Sequence, residues 1–215
     1  MNLFKRLLKG FALSLIIVGI PLIGNMDIIY YPQIWIFLLF GTTASVLQPD
    51  YNPFKIIFHA GDKGTGAQII WSVYITQVAT VTESAFLRFP QSMIWDIATF
   101  IGLIGMIIGL GIRSAAVLKL RNLFTMHLAI HEEHYIISSG IYSLVRHPSY
   151  LGAFIMYIST ILFFHSWFSL TFAFIILPCA FLRRIKYEEE MMKNEFGKDY
   201  LDYSANVKMI IPEIY

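Results

Sequence analysis

Charge is scarce in this 215-residue chain: Asp, Glu, Lys and Arg make up 14%, against 57% hydrophobic residues. A soluble domain carries about 25% charge. That deficit, with long apolar runs, excludes an ordinary water-soluble domain and indicates a polytopic membrane protein. The charges nearly cancel, at net +2, so no basic surface for nucleic acid is expected. Cysteine is almost missing. The one copy, Cys179, excludes an internal disulfide and, inside an apolar run, reads as a small core hydrophobe. There is also no Gly-rich phosphate loop, no His-Glu-x-x-His pair and no Ser/His/Asp set, so no metal site is expected.

What is present is a series of apolar segments, each to be compared with the roughly 20 helical residues needed to cross the hydrocarbon. The first runs over 7–24, after Lys5, Arg6 and Lys9. It resembles a secretory signal but is long for one, and Pro21-Leu-Ile-Gly-Asn25 offers no small-x-small cleavage site, so it reads as a retained first helix. Further spans follow over 34–47, 67–87 and 93–118, the third containing Glu83 and the last carrying Asp96 near its start. Both acids read as interfacial. In the fourth span, Gly105 and Gly109 form a small-xxx-small pair suited to close helix approach.

The apolar stretch 151–182 would measure about 48 Å as one helix, well over the roughly 30 Å hydrocarbon thickness. A hairpin turning near His165 to Trp167 is expected, with one tilted helix as the alternative. Charge favours the hairpin. With the N-terminus in the cytosol, Lys5, Arg6, Lys9, Lys55, Lys63, Lys119, Arg121 and Arg146 fall on one side. A hairpin adds Arg183, Arg184, Lys186, Lys193, Lys198 and Lys208, leaving only Arg88 among the loops outside, as the positive-inside rule requires. The expected fold is all-α: a polytopic bundle of about five or six membrane helices with a polar pocket facing the cytosol. Residues 1–118 would form N-terminal transmembrane helices and 119–215 the C-terminal region that carries the polar clusters, with the hairpin at 149–183. The tail should be an amphipathic helix broken at Gly197, with Met192, Phe196, Tyr200 and Tyr203 on its buried stripe.

Two polar clusters flank the hairpin. The first, Ser139-Gly-Ile-Tyr142 to Arg146-His-Pro-Ser-Tyr-Leu-Gly152, contains a Pro that opens the next helix and leaves amides near Ser149 and Tyr150 available to an anion. Arg146 is suited to a phosphate, a carboxylate or a lipid headgroup. The second cluster places Arg184 and Glu188 four apart on one helix face. Arg suits a carboxylate through its fork, and Glu suits an ammonium or a ribose hydroxyl. His127, His131 and His134 are spaced for one helical face, but the extended look of 136–140 argues against a metal and for interfacial or cofactor-contacting roles.

In order and spacing, His134-Tyr-Ile-Ile-Ser-Ser-Gly-Ile-Tyr142, Arg146-His-Pro-Ser-Tyr-Leu-Gly152, Arg184-x-x-x-Glu188-Glu189, Phe196-Gly-Lys-Asp-Tyr200-Leu-Asp-Tyr203 and Ile211-Pro212 resemble the isoprenylcysteine carboxyl methyltransferases. The resemblance covers about 100 residues at the C-terminal end. It implies S-adenosylmethionine as cofactor, held by His134, Tyr135, Ile136, Ile137, Tyr142, His147, Pro148, Ser149, Tyr150 and Glu188. Arg184 would bind the substrate carboxylate, with Arg113, near the inner end of the fourth span, as a further substrate-side candidate. The implied activity is protein-S-isoprenylcysteine O-methyltransferase-like: carboxyl O-methylation of a prenylated cysteine or similar lipid acid, in a bacterial inner membrane or endoplasmic reticulum, with membrane lipids as further partners. The lipid part would enter sideways, beside the fourth span's glycines. A non-enzymatic reading, a membrane scaffold whose polar clusters only anchor it to headgroups, and two enzymatic ones stand beside it. One is a nicotinamide-dependent membrane reductase, because Pro212-Glu-Ile-Tyr215 matches the ending of sterol reductases. The other is a phospholipid N-methyltransferase, which would need a proton acceptor.

Overall fold

A computed structural model of the chain describes residues 2–48, 63–124 and 135–212. Within them the secondary structure is helical, apart from a bridge between Val145 and Lys208. The helices are α1 (Leu3–Gly24), α2 (Pro32–Leu47), α3 (Thr65–Phe86), α4 (Ile97–Leu120), α5 (Pro148–Phe163) and α6 (Trp167–Asn206). α1, α4 and α6 are long and apolar enough to cross a membrane; α2 and α5 are shorter apolar helices. His127, His131 and His134 lie outside the described residues, as does Lys55.

Five of the six helices begin at a side-chain acceptor or a first-turn proline; α3 follows Gly64 without a side-chain cap. Asn2 accepts from the Phe4 amide at 3.0 Å and opens α1. Pro32 and Pro148 occupy first-turn positions of α2 and α5, where the missing N–H costs nothing. Asp96 is the N-cap of α4, accepting from the Thr99 amide at 3.0 Å. α6 is capped from across the bundle: Glu83 of α3 accepts from the amides of Phe168 at 3.0 Å and Ser169 at 2.7 Å. A carboxylate there satisfies two orphan donors and faces the positive end of the helix. Glu83 is buried within the bundle near the end of α3.

The expected hairpin is present. α5 ends at Phe163, the chain turns through Phe164, His165 and Ser166, and α6 returns along α5. Ala153, Ile158 and Ile161 of α5 pack with Ala173, Leu177 and Phe181 of α6. The turn is fixed by His165, whose Nε2 lies 2.9 Å from Asp96 and whose Nδ1 lies 3.1 Å from the Ser92 carbonyl. α6 then runs on through the charged cluster without a break. The separate tail helix expected from the sequence is its continuation, kinked only at Gly197, whose φ is 52°.

α4 and α5 pack backbone to backbone. A Cβ on Gly109 would lie 2.5 Å from the Met156 nitrogen, and one on Gly152 would lie 2.6 Å from the Arg113 nitrogen. Gly102, Gly105 and Gly109 of the fourth span are thus covered by α5, whereas Gly111 is exposed. Polarity runs inside out in α3: Ser72, Thr76, Gln77, Thr80 and Glu83 are buried, while Trp71 and Ile75 are exposed. On α4, Phe100, Ile101, Ile104, Ile107 and Ile108 all face outward. Such continuous apolar exteriors suit a lipid solvent. Cys179 is exposed on α6 rather than in the core. The hydropathy of its run did not distinguish an inward from a lipid-facing position.

Candidate active site

At the end of the bundle where α4 finishes and α5 begins, a cavity of about 220 Å³ is lined mainly by three regions of the chain. Residues Tyr135, Ile136, Ile137 and Tyr142 come from the segment before α5, with Arg146 and His147 from the loop that leads into it. Ser149, Tyr150, Ala153 and Tyr157 come from α5. Phe181, Arg184, Glu188, Met191, Met192, Tyr200 and Tyr203 come from α6. Gly66 and Ile69 of α3 and Arg113 of α4 complete the wall, so the N-terminal helices share in the site.

The structure brings both sequence clusters into this one cavity. Arg184 Nε donates to Glu188 Oε1 at 3.1 Å, one helical turn away. Tyr150 Oη donates to the same oxygen, joining α5 to α6. Arg184 Nη1 also donates to Thr65 Oγ1 at 3.2 Å, and Arg184 is buried. Glu188 remains 23% exposed to the cavity, enough to meet a ligand. Arg113 Nη1 donates to the Ser149 carbonyl at 3.1 Å and to Ser149 Oγ at 3.0 Å. Tyr142 Oη donates to the Ala116 carbonyl at 3.3 Å, and burial keeps its phenol protonated by raising its pKa above the usual value.

Arg146 behaves differently from its sequence reading. It does not wait for an anion. Its Nε and Nη2 donate to Glu189 Oε1 and Oε2 at 2.8 and 3.2 Å, a bidentate pair. Its Nη1 donates to the carbonyls of Ser204, at 3.0 Å, and Val207. The tail beyond α6 returns to this loop: the amides of Arg146 and His147 donate to the carbonyls of Lys208 and Met209 at 2.8 and 3.0 Å. The Tyr150 amide is also used, by the His147 carbonyl at 3.1 Å. Sequence reasoning missed Glu189 as the partner. The adjacent Glu188-Glu189 pair was visible, but nothing local showed that the two carboxylates serve opposite sides of the wall.

A second cavity, of about 200 Å³, lies among α1, α2, α3 and α5 and shares Ile69, Ile70, Arg113 and Tyr157 with the first. Leu13, Ile17, Phe37, Phe40, Val73 and Met156 make its lining largely apolar. No sequence signal pointed to this space, because it forms between helices recognised only by hydropathy.

A sequence profile of the Isoprenylcysteine carboxyl methyltransferase (ICMT) family matches residues 100–194. The chain is 31% identical over 149 residues to a probable protein-S-isoprenylcysteine O-methyltransferase of Oryza sativa subsp. indica, covering 68% of this chain and 77% of that protein. It is 28% identical over 224 residues to the protein-S-isoprenylcysteine O-methyltransferase of Dictyostelium discoideum, covering 99% of this chain and 81% of the relative. A solved structure of the eukaryotic intramembrane Ras methyltransferase ICMT superposes with a TM-score of 0.60 at 20% identity, covering 100% of this chain and 88% of that one. This likeness extends the shared fold to the N-terminal helices. The reductase and phospholipid N-methyltransferase readings receive no support from these matches. The chain belongs to the isoprenylcysteine carboxyl methyltransferase family and is an integral membrane methyltransferase.

Proposed function

We propose that the protein transfers a methyl group from S-adenosylmethionine to the carboxylate of a lipid-linked acid, a prenylated C-terminal cysteine or a close analogue. The observation that carries this reading is the junction at Arg113: a cavity with charged and aromatic walls meets an apolar cavity between the helices. An amphiphilic acid needs that combination, one space for a head and one for a chain.

The first cavity suits the cofactor. Tyr135, Tyr142, Tyr150, Tyr200 and Tyr203 offer aromatic faces, which attract a sulfonium cation and stack against a purine. Glu188 offers a partly exposed carboxylate for an ammonium or ribose hydroxyl. These residues, with Ile136, Ile137, His147, Pro148 and Ser149, would hold it. The cofactor supplies an electrophilic methyl group. The acceptor carboxylate is already ionised at neutral pH, so the protein needs no general base. Its task is alignment, which converts a bimolecular encounter into an oriented one. Arg184 and Arg113 would orient the acceptor, while Glu188, fixed by Arg184 and Tyr150, would shape the cofactor side. Arg184 shares its charge with Glu188, which limits how far it quenches the nucleophile. The apolar second cavity would receive the lipid chain, entering between helices other than α4 and α5.

This reading includes a multi-pass topology with the pocket facing the cytosol. Lys5, Arg6, Lys9, Arg183 and Lys186 support that orientation through the positive-inside rule. Residues 119–215 would supply most of the catalytic region, with helices from 1–118 closing it. The test is methyl transfer by purified protein from radiolabelled S-adenosylmethionine to farnesylated cysteine and a panel of lipid acids. Arg184→Ala should lower transfer at least tenfold with smaller loss of cofactor binding; Glu188→Ala should weaken cofactor binding at least tenfold. Parent-level transfer by both variants refutes these roles.

A further inference from the structure

Three residues of the cofactor-cavity wall, Arg146, His147 and Tyr200, converge on a single group that does not line the cavity. That group is the Glu189 carboxylate, which is 5% exposed. Its Oε1 accepts from Arg146 Nε at 2.8 Å, from His147 Nε2 at 2.9 Å and from Tyr200 Oη at 2.9 Å; its Oε2 accepts from Arg146 Nη2 at 3.2 Å. Lys193 Nζ lies 3.8 Å from Oε2 at the surface. The three wall residues come from the loop before α5 and from α6 beyond its kink at Gly197.

We propose that Glu189 is a positioning residue for the cofactor, acting on His147 and through it on Glu188. A carboxylate oxygen can only accept, so the His147 Nε2 facing it carries the proton. This fixes the ring's orientation, as a hydrogen-bonded partner fixes a catalytic or metal-bound imidazole elsewhere. The other ring nitrogen, Nδ1, lies 3.6 Å from Glu188 Oε2, too long for a hydrogen bond and an ion pair only with the ring doubly protonated. One imidazole thus stands between the carboxylate behind the wall and the carboxylate in the cavity. Neighbouring residues on a helix do not face each other, so the bridge requires a third group, and His147 supplies it. Arg146 holds Glu189 from the far side and ties the same point to the tail carbonyls of Ser204 and Val207. The inference rests on the function proposed above.

The experiment measures equilibrium binding of radiolabelled S-adenosylmethionine to the purified full chain, beside kcat at saturating cofactor with farnesylated cysteine. Glu189→Gln keeps the size of the side chain but presents an amide to three donors. It should raise the cofactor Kd at least tenfold per folded molecule while kcat stays within threefold. Glu189→Asp, which keeps the charge and guards against misfolding of the first variant, should raise Kd by a smaller factor. In a His147→Ala background, Glu189→Gln should add less than a third of its factor in the parent. A purely structural role would lower the melting temperature and leave Kd per folded molecule unchanged, which overturns the proposal. So does the full factor in the His147→Ala background. If the parent binds no S-adenosylmethionine, the functional reading fails as well; parent binding with an unaffected Glu189→Gln variant removes only the role of Glu189.

Discussion

Gly152→Ala tests whether the active site depends on how closely α4 and α5 approach. The new Cβ would lie 2.6 Å from the Arg113 nitrogen, 2.7 Å from the Gly109 carbonyl oxygen and 3.0 Å from the Arg113 Cα. Favourable contacts between carbon atoms lie at about 3.5–4.0 Å, so the helices must part by about 1 Å. All three neighbours are backbone, and no side chain can swing away. Overpacking of this kind costs about 1–3 kcal/mol, and the better helix propensity of Ala returns about 1 kcal/mol. The net loss is up to about 2 kcal/mol. The displaced residue is Arg113, which holds Ser149 at the cavity wall. A misplacement of about 1 Å can cost up to about a hundredfold in rate. Gly111, which has nothing within 4 Å of its virtual Cβ, is the control. Thermal unfolding in detergent and methyl transfer should place Gly152→Ala below the parent in both and Gly111→Ala at or above it in stability. If Gly152→Ala melts and turns over like the parent, the close approach does not set the geometry of the site.

Glu83→Ala should destabilise the protein by about 2 kcal/mol or more, since it strips the N-terminus of α6 of its acceptor and leaves two amides unmatched; a lower melting temperature relative to the parent checks this. Glu189 predicts a pH effect of defined sign. Burial by itself would raise its carboxyl, but hydrogen bonds from His147 and Arg146 outweigh burial and pull it down to about 2, from an ordinary 4.5. A depressed carboxyl stabilises the fold fully above its unfolded pKa and loses that contribution as pH falls through the folded one. The gap in melting temperature between the parent and Glu189→Gln should therefore be constant near neutrality and shrink between pH 4.5 and 2; a gap that widens with acid contradicts the ion-pair assignment.

The sequence made legible those features whose cause is local or depends on counting charges. The hairpin followed from a segment too long for one crossing and too basic beyond it. The kink at Gly197 and the first-turn position of Pro148 followed from single residues with fixed conformational habits. Tyr135, Tyr142, His147, Tyr150, Arg184 and Glu188, named from a motif, all line one cavity. Features that depend on distant pairs were illegible. Arg146 looked like a free cation because its partner lies 43 residues away. Nothing near Glu83 showed its capping role, because the amides it caps lie 85 and 86 residues away. The second cavity forms from the angles between apolar helices, and hydropathy ranks residues without giving directions; Cys179 was misplaced for the same reason.

The position of the hairpin turn also bears on chemistry halfway along α6. Arg184 is 18 residues beyond Ser166, about 27 Å along the helix. Across that length α6 meets α5 mainly through apolar side chains, which resist separation better than sliding, because apolar burial is non-directional. Directional contacts stand at the two ends. Near the turn, Glu83 receives the first amides of α6 and His165 is held by Asp96 and Ser92. At the cavity, Tyr150 meets Glu188, and Arg146 with His147 meets Glu189. A slip of one residue would move α6 about 1.5 Å, enough to break every one of these bonds at once. The polar groups buried far from the cavity therefore act as a register stop. They place Arg184 and Glu188 opposite Tyr150, and they explain why a bundle so poor in charge keeps acidic residues at both ends of the stretch where α5 and α6 pack.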